Sequence, residues 1–141
     1  MPELDAKSYL KQVELLDARI KNKLIEQQQW RDIAMDITAN IGGERVQSSG
    51  SQQKMADAIT KCVDMETEIN GLIDALIDTK RDVIATIEKL DSPIEYNVLH
   101  KRYIQYLSLQ EIADDYERDY GWVTTTHGRA LKSVQNILNK Q

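Results

Sequence analysis

The side chains best suited to chemistry lie near the C-terminal end, in the stretch DYGWVTTTHGRALK. Tyr120, Gly121, Thr124, Thr125 and Gly128 recur at helical spacing, and Arg129 and Lys132 follow. On a helix that turns Val123, Thr126, Ala130, Val134 and Ile137 inward, these residues point outward. Short hydroxyl side chains suit contact with base edges and thymine methyl groups, and the two cations suit phosphate. Thr124, Thr125 and Thr126 are poor helix formers in succession, so propensity does not account for them. Trp122 and His127 flank this face. The plainer reading is a solvated helix of a docking bundle, in which Thr and Gly are tolerated. Lys101, Arg102 and Arg118 precede this helix. They are candidate phosphate contacts, or ordinary surface charges paired with Asp114, Asp115 or Glu117.

Such a face needs elements that hold it. Ser92, Pro93 and Glu95 have the pattern of a capping box with proline at the first helical position, predicting a helix to about Tyr106. Ser108 and Glu111 repeat the box before a short helix ending near Glu117, and Asp119 is placed to cap a third helix running to about Leu138. Ala113 allows the second helix to approach the third closely, and Val123 fills the angle between them. The predicted core comprises Leu99, Tyr103, Leu107, Leu109, Ile112, Ala113, Tyr116, Val123, Ala130 and Val134. Two short helices crossed in this way make a helix-turn-helix, whose second helix suits a major groove.

Upstream, two long helices are expected. Leu10, Val13, Leu16, Ile20, Leu24, Trp30, Ile33, Ala34, Ile37 and Ile41 mark one face of a helix over about 4–41, interrupted at Gln27. Gly42-Gly43 stops it, and the Gly-, Ser- and Gln-rich segment near 42–53 reads as a loop in which Val46 is the lone apolar residue. Steps of three and four then run through Ile59, Cys62, Glu66, Ile69, Ile73, Leu76, Lys80, Val83, Ile87 and Leu90, a heptad seam with two polar members. The expected architecture is all-α: a long antiparallel helical hairpin, or coiled coil, over 1–90, followed by a three-helix unit over 91–141. Leu72, Ile77 and Ile84 flank the seam. Ile59, Cys62, Ile69, Ile73, Leu76, Val83 and Ile87 are therefore the candidate oligomerisation residues, with a second copy of the chain as partner.

Composition narrows the class. The chain has 141 residues, 41% hydrophobic and 29% charged, with no Phe, six Gly and two Pro, which favours long helices over a sheet-built core. No apolar run approaches the ~20 residues of a membrane span, and the acidic, polar start is unlike a secretion signal, so the expected location is cytoplasmic. Cys62 is the sole cysteine and reads as a small buried hydrophobe. With only His100 and His127 beside it, no metal site and no cofactor are expected. Nor is there a phosphate-cradling loop after a strand, or a nucleophile elbow, so the chain is not expected to be an enzyme. Net charge is −5, yet from Pro93 onward six basic residues balance six acidic ones, and no acid follows Asp119. The predicted phosphate-facing segment is locally positive on an acidic scaffold, so one copy should bind DNA weakly.

About a third of the chain, from Val98 to Leu131, resembles region 4 of the sigma-70 family. The matching elements are Val98-Leu99, Arg102-Tyr103, Leu109-Gln110-Glu111-Ile112-Ala113 and Arg129-Ala130-Leu131. The whole layout, with Arg45-Val46-Gln47-Ser48-Ser49 in the connecting loop, is similar to small phage and prophage proteins of Gram-positive bacteria related to late-gene transcriptional activators. The resemblance implies a sigma-like helix-turn-helix that binds double-stranded promoter DNA and contacts bacterial RNA polymerase inside the host cell. Three positions depart from the sigma pattern. Glu117 stands where the turn usually has Gly, Arg118 where it is usually apolar, and Asp119 where the cap is often Ser. Nothing resembles the sigma region that melts promoter DNA, so a complete sigma factor is not expected. Two rival expectations remain: a module that docks on polymerase or a phage protein without reading DNA, and a packaging-type DNA-binding subunit that forms rings.

Overall fold

A computed structural model describes residues 5–43 and 49–141, with side chains 37–43, 49 and 51 outside the description. Among the described residues there are five α-helices and no strand: α1 (Ala6–Gly43), α2 (Ser49–Ile87), α3 (Pro93–Leu99), α4 (Leu109–Asp115) and α5 (Tyr120–Asn139). A π-helical turn, His100–Ile104, follows α3 directly. Helix α2 begins ahead of the expected Gln53, so Ser49–Gln52 are helical rather than loop. Val46 and the rest of 44–48, and the side chains of Ile37 and Ile41, lie outside the described residues. No described helix is long and apolar enough to cross a membrane.

The chain forms two compact units, and their limits differ from a division at residue 90. One unit comprises the described residues up to Leu16 together with Leu76–Gln141; the other is Asp17–Ala75. The reason lies in what the short C-terminal helices bury. Leu99, Tyr103, Ala130 and Val134 do not close a core of their own. They share one with Ala6, Leu10 and Val13 of α1 and Val83 and Ile87 of α2. A smaller cluster of Val98, Ile112, Ala113 and Val123, covered by Ile94, Leu107, Leu109, Tyr116 and Trp122, lies between α3, α4 and α5. The expected single core is thus two clusters, one of which is completed by the long helices.

Polar contacts fix the long helices within this first unit. The Asp5 side chain accepts from the Ser8 N–H at 2.7 Å, capping α1. The Ala6 N–H donates to Gln135 Oε1 at 2.7 Å, occupying one of the orphan donors of the first turn. Tyr9 binds Asp82 and Thr86 through its hydroxyl, at 2.5 and 2.8 Å. Burial first, and the Asp82 carboxylate second, push the Tyr9 hydroxyl up to about 12.

In the second unit α1 and α2 run antiparallel: Lys23 pairs with Glu68 at 3.2 Å, and the Gln27 side-chain amide donates to the Cys62 carbonyl at 3.1 Å. The interruption at Gln27 is therefore an inward residue, buried and hydrogen-bonded. Cys62 is half-buried, its thiol 3.8 Å from the Gln27 carbonyl oxygen. Ala58, Met65 and Ile69 are the buried side chains of α2 here, whereas Ile59 and Ile73 of the expected seam are exposed, as are Leu24 and Ile33 of α1. A stripe one position earlier (Ala58, Met65) replaces the seam at two of its members. Ile69, Val83 and Ile87, proposed from the sequence as oligomerisation residues, are buried within a single chain and are not free to meet a partner.

Candidate nucleic-acid interface

The local geometry of α4 and α5 follows from their caps. Ser108 Oγ accepts from the Glu111 N–H while the Glu111 carboxylate accepts from the Ser108 N–H, each at 3.1 Å, so the capping box before α4 is complete. The box before α3 is half made. Ser92 Oγ accepts from the Glu95 N–H, but the Glu95 carboxylate accepts instead from Ser133 of α5 at 3.0 Å. Asp119 caps α5 by accepting the Trp122 N–H at 2.7 Å.

The turn between α4 and α5 is a Schellman cap. Arg118 N–H donates to the Ala113 carbonyl at 2.9 Å and Glu117 N–H to the Asp114 carbonyl at 3.1 Å. Glu117 has φ of 53°, the left-handed conformation that glycine adopts without strain. The backbone thus makes this turn with strain at Glu117, where a glycine would carry none. Arg118 lays its guanidinium 5.0 Å from the Trp122 ring centroid, a cation–π contact that fastens the turn to α5. Trp122 in turn meets Tyr116 edge-on at 5.6 Å.

On α5 the expected inward face is the observed one: Val123, Thr126, Ala130 and Val134 are buried, and Ile137 is half-buried. Gly121, Thr125, Gly128, Arg129 and Lys132 are exposed, as is Tyr120, and Thr124 is half-buried. The threonines differ in what their hydroxyls do. Thr124 donates to the Gly121 carbonyl at 3.0 Å and Thr126 to the Trp122 carbonyl at 2.9 Å, while Thr125 makes no such bond among the described residues. A Cβ at Gly128 would meet nothing within 4 Å, and one at Gly121 only Asp119 Oδ1 at 3.6 Å. Packing therefore does not require either glycine. They leave the outer face of the helix low.

The candidate phosphate contacts separate. Arg129 and Lys132 have no carboxylate partner among the described residues. Lys101 is paired with Asp115 at 3.3 Å and stands 5.8 Å from the centre of the Tyr116 ring, as the plainer reading expects. Arg102 lies over the Tyr103 ring at 5.5 Å and donates to the Leu107 carbonyl at 3.5 Å. It is half-buried and turns toward a cavity. His127, expected to flank the outer face, turns toward Tyr103, sharing a 2.8 Å hydrogen bond with its hydroxyl and stacking at 5.7 Å. Burial, then the charges of Arg102 and Lys7, hold the imidazole below its ordinary range, and burial raises the Tyr103 hydroxyl.

Sequence reasoning missed Lys7. It lies more than ninety residues before the other cationic candidates and reaches their neighbourhood only because Ala6 and Leu10 join the C-terminal core. No local pattern could have announced it. In comparison with known proteins, no family model matches the chain, nor does any curated protein or solved structure.

Proposed function

We propose that this chain is a DNA-binding transcriptional regulator of phage type. In this reading α4, the Schellman turn and α5 are a helix-turn-helix of sigma region 4 type, and α5 enters the major groove of promoter DNA. The paired long helices act as a hairpin that sets oligomeric state or recruits RNA polymerase. One observation carries the reading: α5 buries Val123, Thr126, Ala130 and Val134 on one face and leaves the opposite face, Gly121, Thr125, Gly128, Arg129 and Lys132, open and free of acid. Thr125 has the hydroxyl best placed to reach a base edge, Gly121 and Gly128 permit close approach, and Arg129 and Lys132 suit phosphate. Lys101 is given a structural role in place of a phosphate contact, because Asp115 already neutralises it.

The assembly surface moves with the buried stripe. Ile59, Val63, Leu24, Ile25 and Met35 are exposed apolar side chains of the second unit, and they replace Ile69, Val83 and Ile87 as the residues that a second copy would cover. A dimer would place two α5 helices on two half-sites and add avidity to a weak single contact.

Anisotropy titrations over a salt series test the reading, using a duplex of mixed sequence and a duplex selected from a random pool. The Thr124→Ala/Thr125→Ala double variant should lose preference for the selected duplex while keeping mixed-sequence binding. Arg129→Glu should weaken both and lower the slope of log K against log salt by about one. Identical binding by all three proteins would favour a docking module that never reads DNA. A ring-sized mass in light scattering would favour a packaging subunit.

A further inference from the structure

From its geometry we infer that a cavity between α1, the π-helical turn, α4 and α5 is a binding site for a phosphate group. The cavity, of about 350 Å³, is lined by Lys7, Arg102, Tyr103, Ser108, Tyr120 and His127, with no described acidic side chain in its wall. All of these residues belong to the first compact unit. The site shares Tyr120 with the start of α5 but none of Gly121, Thr125, Gly128, Arg129 and Lys132, and it does not depend on those residues reading DNA.

Three features converge. First, Lys7 and Arg102 face one cavity without a carboxylate partner within 4 Å among the described residues, in a chain whose net charge is −5. Neighbouring Lys101, by contrast, is paired. Two like charges beside a common space repel unless an anion enters it. Second, half-buried His127 lines the same cavity, and the positive charges of Arg102 and Lys7 both act on its imidazole. The negative charges of Asp5 and Glu14 act on Tyr103 with the opposite sign to Arg102 and would moderate the attraction without lining the cavity. Third, the wall supplies several donors that suit a phosphate group. The Arg102 guanidinium offers a fork and Lys7 a mobile ammonium. Ser108 still has its own O–H to give after its oxygen accepts the Glu111 N–H, and Tyr120 is half exposed at the mouth. Donors from four elements surround the space, which a phosphate with three or four acceptor oxygens can engage together. The space admits a phosphate group carried by a DNA backbone or by a small phosphorylated molecule.

The test uses the full chain. The two histidine imidazoles are followed by carbon–proton correlation NMR near neutral pH, with His100→Gln giving the assignment. Inorganic phosphate is titrated against chloride at constant ionic strength. The expected result is a saturating shift of the His127 signals with phosphate only, accompanied by a rise in the His127 pKa as the added negative charge favours the imidazolium. Lys7→Gln, at an exposed position that leaves the core intact, should weaken phosphate binding by about tenfold. A response that fails to saturate, that chloride reproduces, or that survives Lys7→Gln unchanged would overturn the inference. Two further arms identify the source. If Lys7→Gln weakens duplex binding and phosphate competes with the duplex, the occupant is a backbone phosphate. If duplex binding is unmoved while adenosine monophosphate displaces phosphate, the occupant is a small phosphorylated molecule. Should the protein bind no duplex at all, the regulator reading fails while the phosphate titration still decides this site.

Discussion

The two compact units are built from the same pair of long helices, yet they bury apolar surface to very different degrees. Leu10, Val13, Val83, Ile87, Val98, Leu99, Ile112, Val123 and Val134 are the largest fully buried side chains, and every one belongs to the unit that includes the C-terminal helices. In the other unit Ile20, Gln27, Ala58, Met65 and Ile69 are buried, while Leu24, Ile25, Ile33, Met35, Ile59, Val63 and Ile73 stay exposed. Two helices alone can shield only the line along which they touch. Where α3, α4 and α5 add further faces, the same kind of helix acquires an enclosed core. The lesson is that the small C-terminal helices are as much the means by which the long helices fold as the long helices are their support.

The largest expected effect separates the units by side-chain truncation. Leu99→Ala should cost about 3–5 kcal/mol in urea unfolding, because Leu99 is fully buried, whereas Ile59→Ala should cost less than about 0.5 kcal/mol at low protein concentration. Equal costs would break the contrast. Next, each unit contains one tryptophan, Trp30 and Trp122. In Trp122→Phe the remaining fluorescence should report an earlier urea midpoint than in Trp30→Phe, since the less enclosed unit opens first. Coincident midpoints would show that the chain unfolds as a single cooperative body.

Glu117→Gly should then widen the gap. Relieving the left-handed strain at φ 53° should stabilise the Trp122 unit by about 1 kcal/mol and leave the Trp30 midpoint where it was. The smallest effect is at high pH. The second unit has no tyrosine and no histidine, so phenol titration belongs to the first. Tyr9, with its folded pKa raised to about 12, contributes stability that is present below about pH 10 and lost as pH rises toward 12. Tyr9→Phe should flatten that decline in the Trp122 midpoint. The same steepness in both proteins would remove Tyr9 from the account. On the acid side the sign reverses for His127. Its lowered folded pKa means that the unfolded chain takes up the proton first, so stability falls as pH drops below about 6.5.

Local grammar made much of this legible from the chain alone. Ser108 with Glu111 and Asp119 mark helix starts because a cap is a contact over three residues, and the 3.6-residue period located the buried face of α5 at Val123, Thr126, Ala130 and Val134. The phase of α2 was harder. Its apolar residues occupy more than one face, so the spacing that selected Ile59 and Ile73 was as regular as the one that buries Ala58 and Met65. Periodicity cannot say which of two apolar stripes a single chain covers. The π-helical turn had no signal either: the Gln105 N–H reaches back to the His100 carbonyl at 3.0 Å, an extra residue per turn that no residue type demands. The convergence of Lys7 with Arg102 and His127 was out of reach for a different reason, being a product of tertiary packing across most of the chain.

Gln27 has a consequence for how the long helices are aligned. Along a smooth apolar line two helices can slip past one another by a turn, about 5.4 Å, and meet a similar surface again. The amide of Gln27, buried and bonded to the Cys62 carbonyl, marks one of those settings. A slip of one turn would break that bond and oblige the amide to find another acceptor. The side chain thus works as a detent: it contributes little grip of its own, but it makes leaving the notch cost a hydrogen bond.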